Sequence, residues 1–284
     1  SSQPGPDVGS DGVAEQHGHG AALSAHDSGP VARQLPPRKV FISVAEGVIV
    51  PPQTKLHPTV VLDDGSPAPF AVQWSVTGPP DVAAAFLPSS TSPTPSLTLN
   101  GAGTWQVCAT PTLWLPMGLS LPQKSCAEVS VVPDDAIHVE LTWHTAADPN
   151  EQDTGPAAGA DLDLHLAHAS AKQADLDGDG APDPWYSNPF DAFWFNPAPN
   201  WGSYSSSADD PRLDLDDTDG AGPENMNLNA PEGTTQQPVA YDVGVHYWND
   251  HGFGQSTATV RIWIDGVLIA ILGPQPMQSL GMWH

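Results

Sequence analysis

Two stretches in the second half of the chain alternate apolar and polar side chains residue by residue. In IHVELTWHT (137–145), Ile137, Val139 and Leu141 fall on one side of an extended strand, with His138, Glu140 and Thr142 on the other. In ADLDLHLAH (160–168), Leu162, Leu164 and Leu166 face inward, while Asp161, Asp163 and His165 share the opposite face. Shorter runs of the same period recur. KVFISVAEG alternates at its start, and PTVVLDDGSPAPFAVQWSVTGPP holds two strands around the turn residues Asp63, Asp64 and Gly65. LTLNGAGTWQVCATPT and CAEVSVVP read as a further pair, then VAYDVGVHYW and STATVRIWIDGVLIAIL. In the last, Asp265-Gly266 between apolar runs predicts a type I′ hairpin. No helical period is convincing after residue 36. The pattern predicts an all-β chain: two consecutive β-sandwich domains, 37–132 and 133–284, behind a flexible, disordered leader, 1–36, of low-complexity Gly, Ser, Pro, Ala and His. His17 and His19 belong to that leader. Residues 169–235 read as one long, irregular, acidic loop.

Composition sharpens this. The chain has 284 residues, with 32 Pro and 26 Gly, a content typical of β- and loop-rich proteins. The formal charge is −25, and it is lopsided. Residues 133–284 contain only Lys172, Arg212 and Arg261 as bases among most of the acids. Such a half repels nucleic acid and anionic headgroups and suits cations. The two cysteines, Cys108 and Cys126, flank one predicted hairpin and suit a disulfide in an oxidising compartment. No apolar run is long enough for a transmembrane segment. The opening SSQPGPDVGSDG reads as a chain whose signal peptide is already removed, and it suits a segment following a lipidated cysteine, so a lipid anchor is compatible with it. Export to the outer cell surface or extracellular space is expected, with the periplasm as the alternative.

Trp74 in VQWSV and the Gly–aromatic–x–Val strand in GAGTWQVCAT resemble PKD-type and other immunoglobulin-like modules over about ninety residues. The resemblance implies a sandwich with a core tryptophan, used as a spacer or binding module in exported proteins. Cys108 and Cys126 would staple its last two strands beneath the Pro-rich loop 109–125, a bond typically worth about 2–4 kcal/mol.

Three acidic constellations are candidates for metal binding. The stretch DLDGDGAPDPWY alternates Asp175, Asp177 and Asp179, with Asp183 beyond Gly180. Calcium takes six to eight oxygens, and a short loop supplies them when aspartates alternate and glycines let the backbone curl. The stretch resembles the DxDxDG loops of thrombospondin type 3 repeats. It lacks the bidentate Glu of an EF-hand, since position 186 is Tyr; a solvated Asp/Gly turn is the plain alternative. The second constellation is Asp214, Asp216, Asp217, Asp219 and Glu224, whose mutual repulsion is costly without a cation or strong hydrogen bonds. An exposed acidic loop capping its own amides is the alternative there. The third is the Asp161, Asp163, His165 strand face, with His246 as a candidate partner for a transition metal. A calcium or structural role for the aspartates is favoured, because calcium seldom takes imidazole.

GADLDLHLAH, FNPAPNWG, DDPRLDLDDTDGAGPENMNL and VGVHYWNDHGFGQSTATVRIWIDG, in that order over about 134–270, resemble an uncharacterised secreted bacterial β-sandwich family of YfaP-type domains, often found behind PKD-like modules in surface proteins and lipoproteins. That resemblance implies architecture and location, not an activity. A weaker similarity, to the calcium-binding β-sandwich of tellurite-resistance proteins, would make Asp163, Asp217, Asp219 and Glu224 the ligands.

The Pro/Asn-rich segment PWYSNPFDAFWFNPAPNWGSY adds eight aromatics. Most should cover the sheet as a lid; Trp185, Tyr186, Trp194 and Trp201 are the candidates for an exposed platform that stacks on sugar rings. No G-x-S-x-G, HExxH or P-loop is present, and no isolated carboxylate pair stands out, so catalysis is not expected. The sequence thus predicts an exported, calcium-binding sandwich protein that adheres, scaffolds, or meets a surface glycan or protein partner. A calcium-dependent carbohydrate-binding module is the alternative. A metal-dependent hydrolase using Asp161, Asp163, His165 and His246 is a weaker one.

Overall fold

The computed structural model describes residues 41–42, 47–61, 65–67, 71–80, 82–112, 124–151, 155, 158–176, 178–218 and 220–284. The leader with His17 and His19, most of the loop 109–125, Asp177 and Asp219 lie outside them. Among the described residues there is no helix, and the all-β class follows the alternation of the chain.

The first group of strands is β1 (Phe41–Ile42), β2 (Val48–Val50), β3 (Thr54–Leu56), β4 (Val60–Val61), β5 (Val72–Thr77), β6 (Phe86–Leu87), β7 (Ser96–Leu99), β8 (Gly103–Pro111) and β9 (Ser125–Val131). One sheet has the order β2-β9-β8-β5, another β3-β7-β6, and β1 pairs with β4. Trp74, Leu97, Leu99, Trp105, Val107 and Val129 fill the core between them. Both indoles satisfy their N–H on carbonyls, Trp74 on Ser92 at 3.0 Å and Trp105 on Gly101 at 2.9 Å. Cys108 and Cys126 stand directly opposite in the β8–β9 register and are joined by a disulfide, their Cα atoms 4.0 Å apart.

The second group is β10 (Ile137–His144), β11 (Asp161–His168), β12 (Asp191–Ala192), β13 (Pro211–Leu215), β14 (Glu224–Leu228), β15 (Gly233–Thr234), β16 (Gln237–Pro238), β17 (Tyr241–Asn249), β18 (Ser256–Ile264), β19 (Val267–Met277) and β20 (Met282–Trp283). A five-stranded sheet, β13-β14-β10-β18-β19, and a four-stranded one, β12-β11-β17-β20, share a core of Val139, Leu141, Trp143, Leu162, Leu164, Leu166, Met226, Val245 and Val260 among others. Strands β12 and β11 pack on β13 and β14 respectively. The β18–β19 turn has positive φ at both Asp265 (49°) and Gly266 (73°), as a type I′ hairpin requires.

One sequence expectation changes here. The segment 169–235 is not one irregular loop, because β13 and β14 extend the five-stranded sheet from within it. PRLDL and ENMNL are too short and acidic to show a period, yet Leu213, Met226 and Leu228 enter the core. The polar face of β10 is covered: His138, Glu140 and Thr142 are all fully buried. The loop between β7 and β8 lies on it. Glu140 Oε2 accepts the Ala102 N–H at 2.7 Å, and the Asn225 amide donates to the Asn100 carbonyl at 2.9 Å. Arg261 reaches from β18 to Glu140 Oε1 at 3.3 Å and Thr142 Oγ1 at 3.0 Å. Gly101 fits where a Cβ would come within 2.7 Å of Val82 and 3.1 Å of Glu140. The two groups of strands are thus joined by the buried Glu140 carboxylate and by the Asn225 amide.

Burial pushes the Glu140 carboxyl up to about 7, against the pull of the Ala102 N–H and Arg261. Its proton is held more tightly in the folded than in the unfolded state. This contribution is complete below the ordinary Glu range near 4.5 and is lost as pH rises through about 7. A shift of that size is worth roughly 3 kcal/mol. Denaturant titrations should therefore show wild type losing stability relative to Glu140→Gln between pH 4.5 and 7.5, a difference in which carboxylates common to both chains cancel.

Candidate metal centre

Three strand-borne or strand-adjacent carboxylates converge on the side of β11 opposite its leucines. Asp163 comes from β11, Asp216 follows β13, and Glu224 opens β14; each places an oxygen within 4.8 Å of the others. The turn joining β13 to β14 is fixed by its own amides. Asp217 N–H donates to Glu224 Oε1 at 3.2 Å, and Gly222 N–H donates to Asp217 Oδ2 at 3.0 Å. Gly222 has φ 85°, and a Cβ there would meet the Leu141 carbonyl at 2.7 Å. That close approach lets Trp143 N–H bond the Ala221 carbonyl at 2.9 Å. Across the core, Glu224 Oε2 takes the Leu164 N–H at 2.7 Å, which ties the turn to β11.

The electrostatics of this group are strained. Glu224 is fully buried, and burial, then the neighbouring Asp163, hold its carboxyl well above the usual range. Asp216 is also raised, first by burial, with a hydrogen bond to Glu224 acting the other way. Asp161, on the same strand face, is 8 % exposed; burial and then Asp163 and Asp216 push its carboxyl up to about 7. Its Oδ1 is buried without a hydrogen-bond partner among the described residues. His246 Nδ1 lies 3.4 Å from Asp163 Oδ2. A set of carboxylate oxygens with no thiolate suits a hard divalent cation, which would replace the protons that burial otherwise demands.

The other candidate residues are placed elsewhere. Asp175 accepts the amides of Gly178 (2.6 Å) and Gly180 (2.9 Å), Asp179 accepts that of Ala181 (2.7 Å), and Asp183 that of Leu176 (2.5 Å). These bonds make the described part of DLDGDG a turn that caps its own backbone; Asp177 lies outside the described residues. Asp214 is turned to Arg212 and the Asn227 amide, apart from the trio. Asp219 is again outside.

His165 is not gathered with Asp161 and Asp163. Its Nδ1 bonds Asp191 Oδ2 at 2.8 Å, both groups fully buried, and its ring stacks on Phe193 with centroids 4.8 Å apart. Trp185 and Tyr186 stand edge-on to it, so the imidazole the hydrolase alternative needs is sealed from solvent. Trp185 and Trp201 are core residues at 2 % exposure, which corrects their reading as an exposed platform. Large rings beside a sheet bury themselves when a long segment needs an anchor. Tyr186 is half-buried against His165 and Phe193. Trp194, Phe195, Tyr204 and Trp248 are exposed, and Trp194 and Trp248 have centroids 5.8 Å apart. Phe195 and Trp248 are absent from the sequence-based candidates. Trp248 had a signal: in VGVHYW, Val245 and Tyr247 take the inward phase, leaving Trp248 outward.

No protein-family model matches the chain, and no curated protein sequence matches it. Among solved structures it is similar to domains 4–9 of the surface layer protein SbsC, at 11% identity and TM-score 0.24 over 85% of this chain and 31% of that one. The chain thus spans under a third of that structure. It is also similar to domains 5–6 of the S-layer protein SbsC, at 13% identity and TM-score 0.24 over 85% of this chain and 99% of that one. TM-scores this low carry no weight for fold or role. No helix among the described residues is long and apolar enough to cross a membrane.

Because Glu224 sits among acids in a dry site, Glu224→Gln should leave the cation-free protein as stable as wild type at pH 8, or more stable by about 1 kcal/mol. The glutamine oxygen keeps the Leu164 bond, and its NH2, which gives up the Asp217 N–H, can donate to the neighbouring carboxylates. Urea midpoints in chelator test this.

Proposed function

We propose that the protein is an exported calcium-binding β-sandwich protein of the cell surface, with an adhesive or scaffolding role and no catalysis. The observation that carries the calcium reading is the convergence of Asp163, Asp216 and Glu224 from three elements, two of them buried, beside the unpartnered oxygen of Asp161. Asp217 lies in the same turn and supplies a further oxygen. The Cys108–Cys126 bond supports export, because disulfides persist in oxidising compartments. Calcium neutralises repulsion that burial makes costly and locks the β13–β14 turn to β11.

The test is a thermal melt after chelation, then with calcium, magnesium or zinc restored. Calcium at a hundred times its dissociation constant adds about 2.7 kcal/mol, or roughly 5–10 °C. The gain should vanish in Asp163→Asn and Glu224→Gln and remain in Asp175→Asn. Identical melting with and without calcium would end the calcium account.

A second reading, a calcium-dependent carbohydrate-binding module, is favoured by the exposed Trp194–Phe195–Trp248 group. Trp248 contacts His246, which contacts Asp163, so this group adjoins the acidic centre. Neutral sugars offer C–H faces to rings and hydroxyl donors to carboxylates. Glycan-array binding that calcium strengthens and Trp194→Ala or Trp248→Ala abolishes supports it; no glycan bound by wild type removes it.

A further inference from the structure

On the face of the four-stranded sheet turned away from the shared core, residues 176–186 and 280–284 enclose a cleft of about 320 Å³. Buried Asp183 and Trp185 form its floor, half-buried Tyr186, His246 and Met282 its walls, and exposed Leu280 and His284 part of its rim. The cleft is fixed from several sides. Trp185 is seated on β17, where a Cβ on Gly244 would come within 2.7 Å of its ring. Tyr186 and Leu280 both hold left-handed backbone, with φ 61° and 66°. That conformation is costly for such side chains and persists only where the surroundings impose it. Here the Tyr186 N–H donates to Asp191 Oδ2 at 2.6 Å, and the Leu280 N–H donates to the Tyr247 carbonyl at 2.6 Å. A guest therefore meets walls that are already in place.

The charge around the cleft has one sign. Among the described residues no lysine or arginine lines it. Asp183 lies in the floor, and Asp163 stands behind His246, 3.4 Å from Nδ1. The Tyr186 hydroxyl is held protonated by burial, and then by Asp163 and Asp191. Such a field favours a positive guest. Free hydrogen-bond acceptors are scarce, however. Asp183 is buried, and its Oδ2 already takes the Leu176 N–H at 2.5 Å. A primary ammonium needs acceptors for three N–H groups, so it matches this floor poorly. A cation without N–H groups loses nothing here, and its charge is stabilised by the rings and by the field of carboxylates it does not touch.

We propose that this cleft binds a small quaternary ammonium ion of the choline type, with its methyl groups on Trp185, Tyr186, Met282 and Leu280. The volume is at the small end for ligand sites, which suits an ion of this size. The proposal does not rest on the calcium reading, since none of the acidic trio lines the cleft.

The experiment is a calorimetric titration of the full chain with choline, in chelator and at low salt, paralleled by tryptophan fluorescence. Saturable binding is expected. Dimethylbutanol, the neutral carbon isostere of choline, should bind about tenfold more weakly or less, because it has the shape without the charge. Phosphocholine should also bind more weakly than choline, since its phosphate meets the same carboxylates; this arm separates a free ion from a lipid headgroup. Asp183→Asn should weaken choline about tenfold by removing the nearest buried charge. Its amide oxygen can still accept the Leu176 N–H, so its melting temperature should stay near that of wild type. Glu128→Gln, which removes an exposed charge on β9, should leave choline binding unchanged. No saturable choline binding, equal binding of dimethylbutanol, tighter binding of phosphocholine, or equal losses in Asp183→Asn and Glu128→Gln would each overturn the proposal.

Discussion

The second group of strands is organised around a carboxylate that has no permanent counter-charge. Glu224 is fully buried, and the ionisable groups acting on it are other acids, Asp163 and Asp216. An ionised carboxylate in a dry interior is costly unless something positive or strongly donating meets it. The chain meets part of that demand with backbone amides, those of Leu164 and Asp217. What remains must come from a proton or a cation. The tucked turn at Gly222 and the bond from β14 to β11 both exist to hold this group in place.

Glu140 shows the other solution to the same problem. It is equally buried, on the strand next to β14, but Arg261 stands beside it and the Ala102 amide caps it. Those contacts help fasten the first group of strands to the second. They offset only part of the burial, since the Glu140 carboxyl still rises to about 7. Glu224 has no cation beside it among the groups that act on it, and it belongs to the one cluster in the described residues with the geometry of a cation site.

Much of the architecture was legible in the alternation. The cores of β10 and β11, the Asp265-Gly266 hairpin and the pairing of Cys108 with Cys126 are local or near-local properties. Period two assigns residues to faces but does not say what covers each face. Hence nothing in IHVELTWHT shows that the loop at Ala102 lies over Glu140. The acidic trio was legible only as a set of suspects: Asp216 and Glu224 belong to one acidic constellation, but Asp163 lies on a distant strand and reads as part of another. The conspicuous DLDGDG was the easier pattern to see because its contacts are local, and local contacts are what let its described aspartates cap their own amides. Trp185 and Trp201 illustrate the same limit: an aromatic-rich segment shows that rings are present, not which of them the sheet will claim.

The disulfide has a consequence beyond stiffening two strands. Cys108 and Cys126 are eighteen positions apart and close the whole connection between β8 and β9 at its base. A protease that cuts anywhere inside that connection produces two fragments still joined covalently, with both strands in register. The connection can therefore lengthen, vary or be nicked without separating the two strands that it joins.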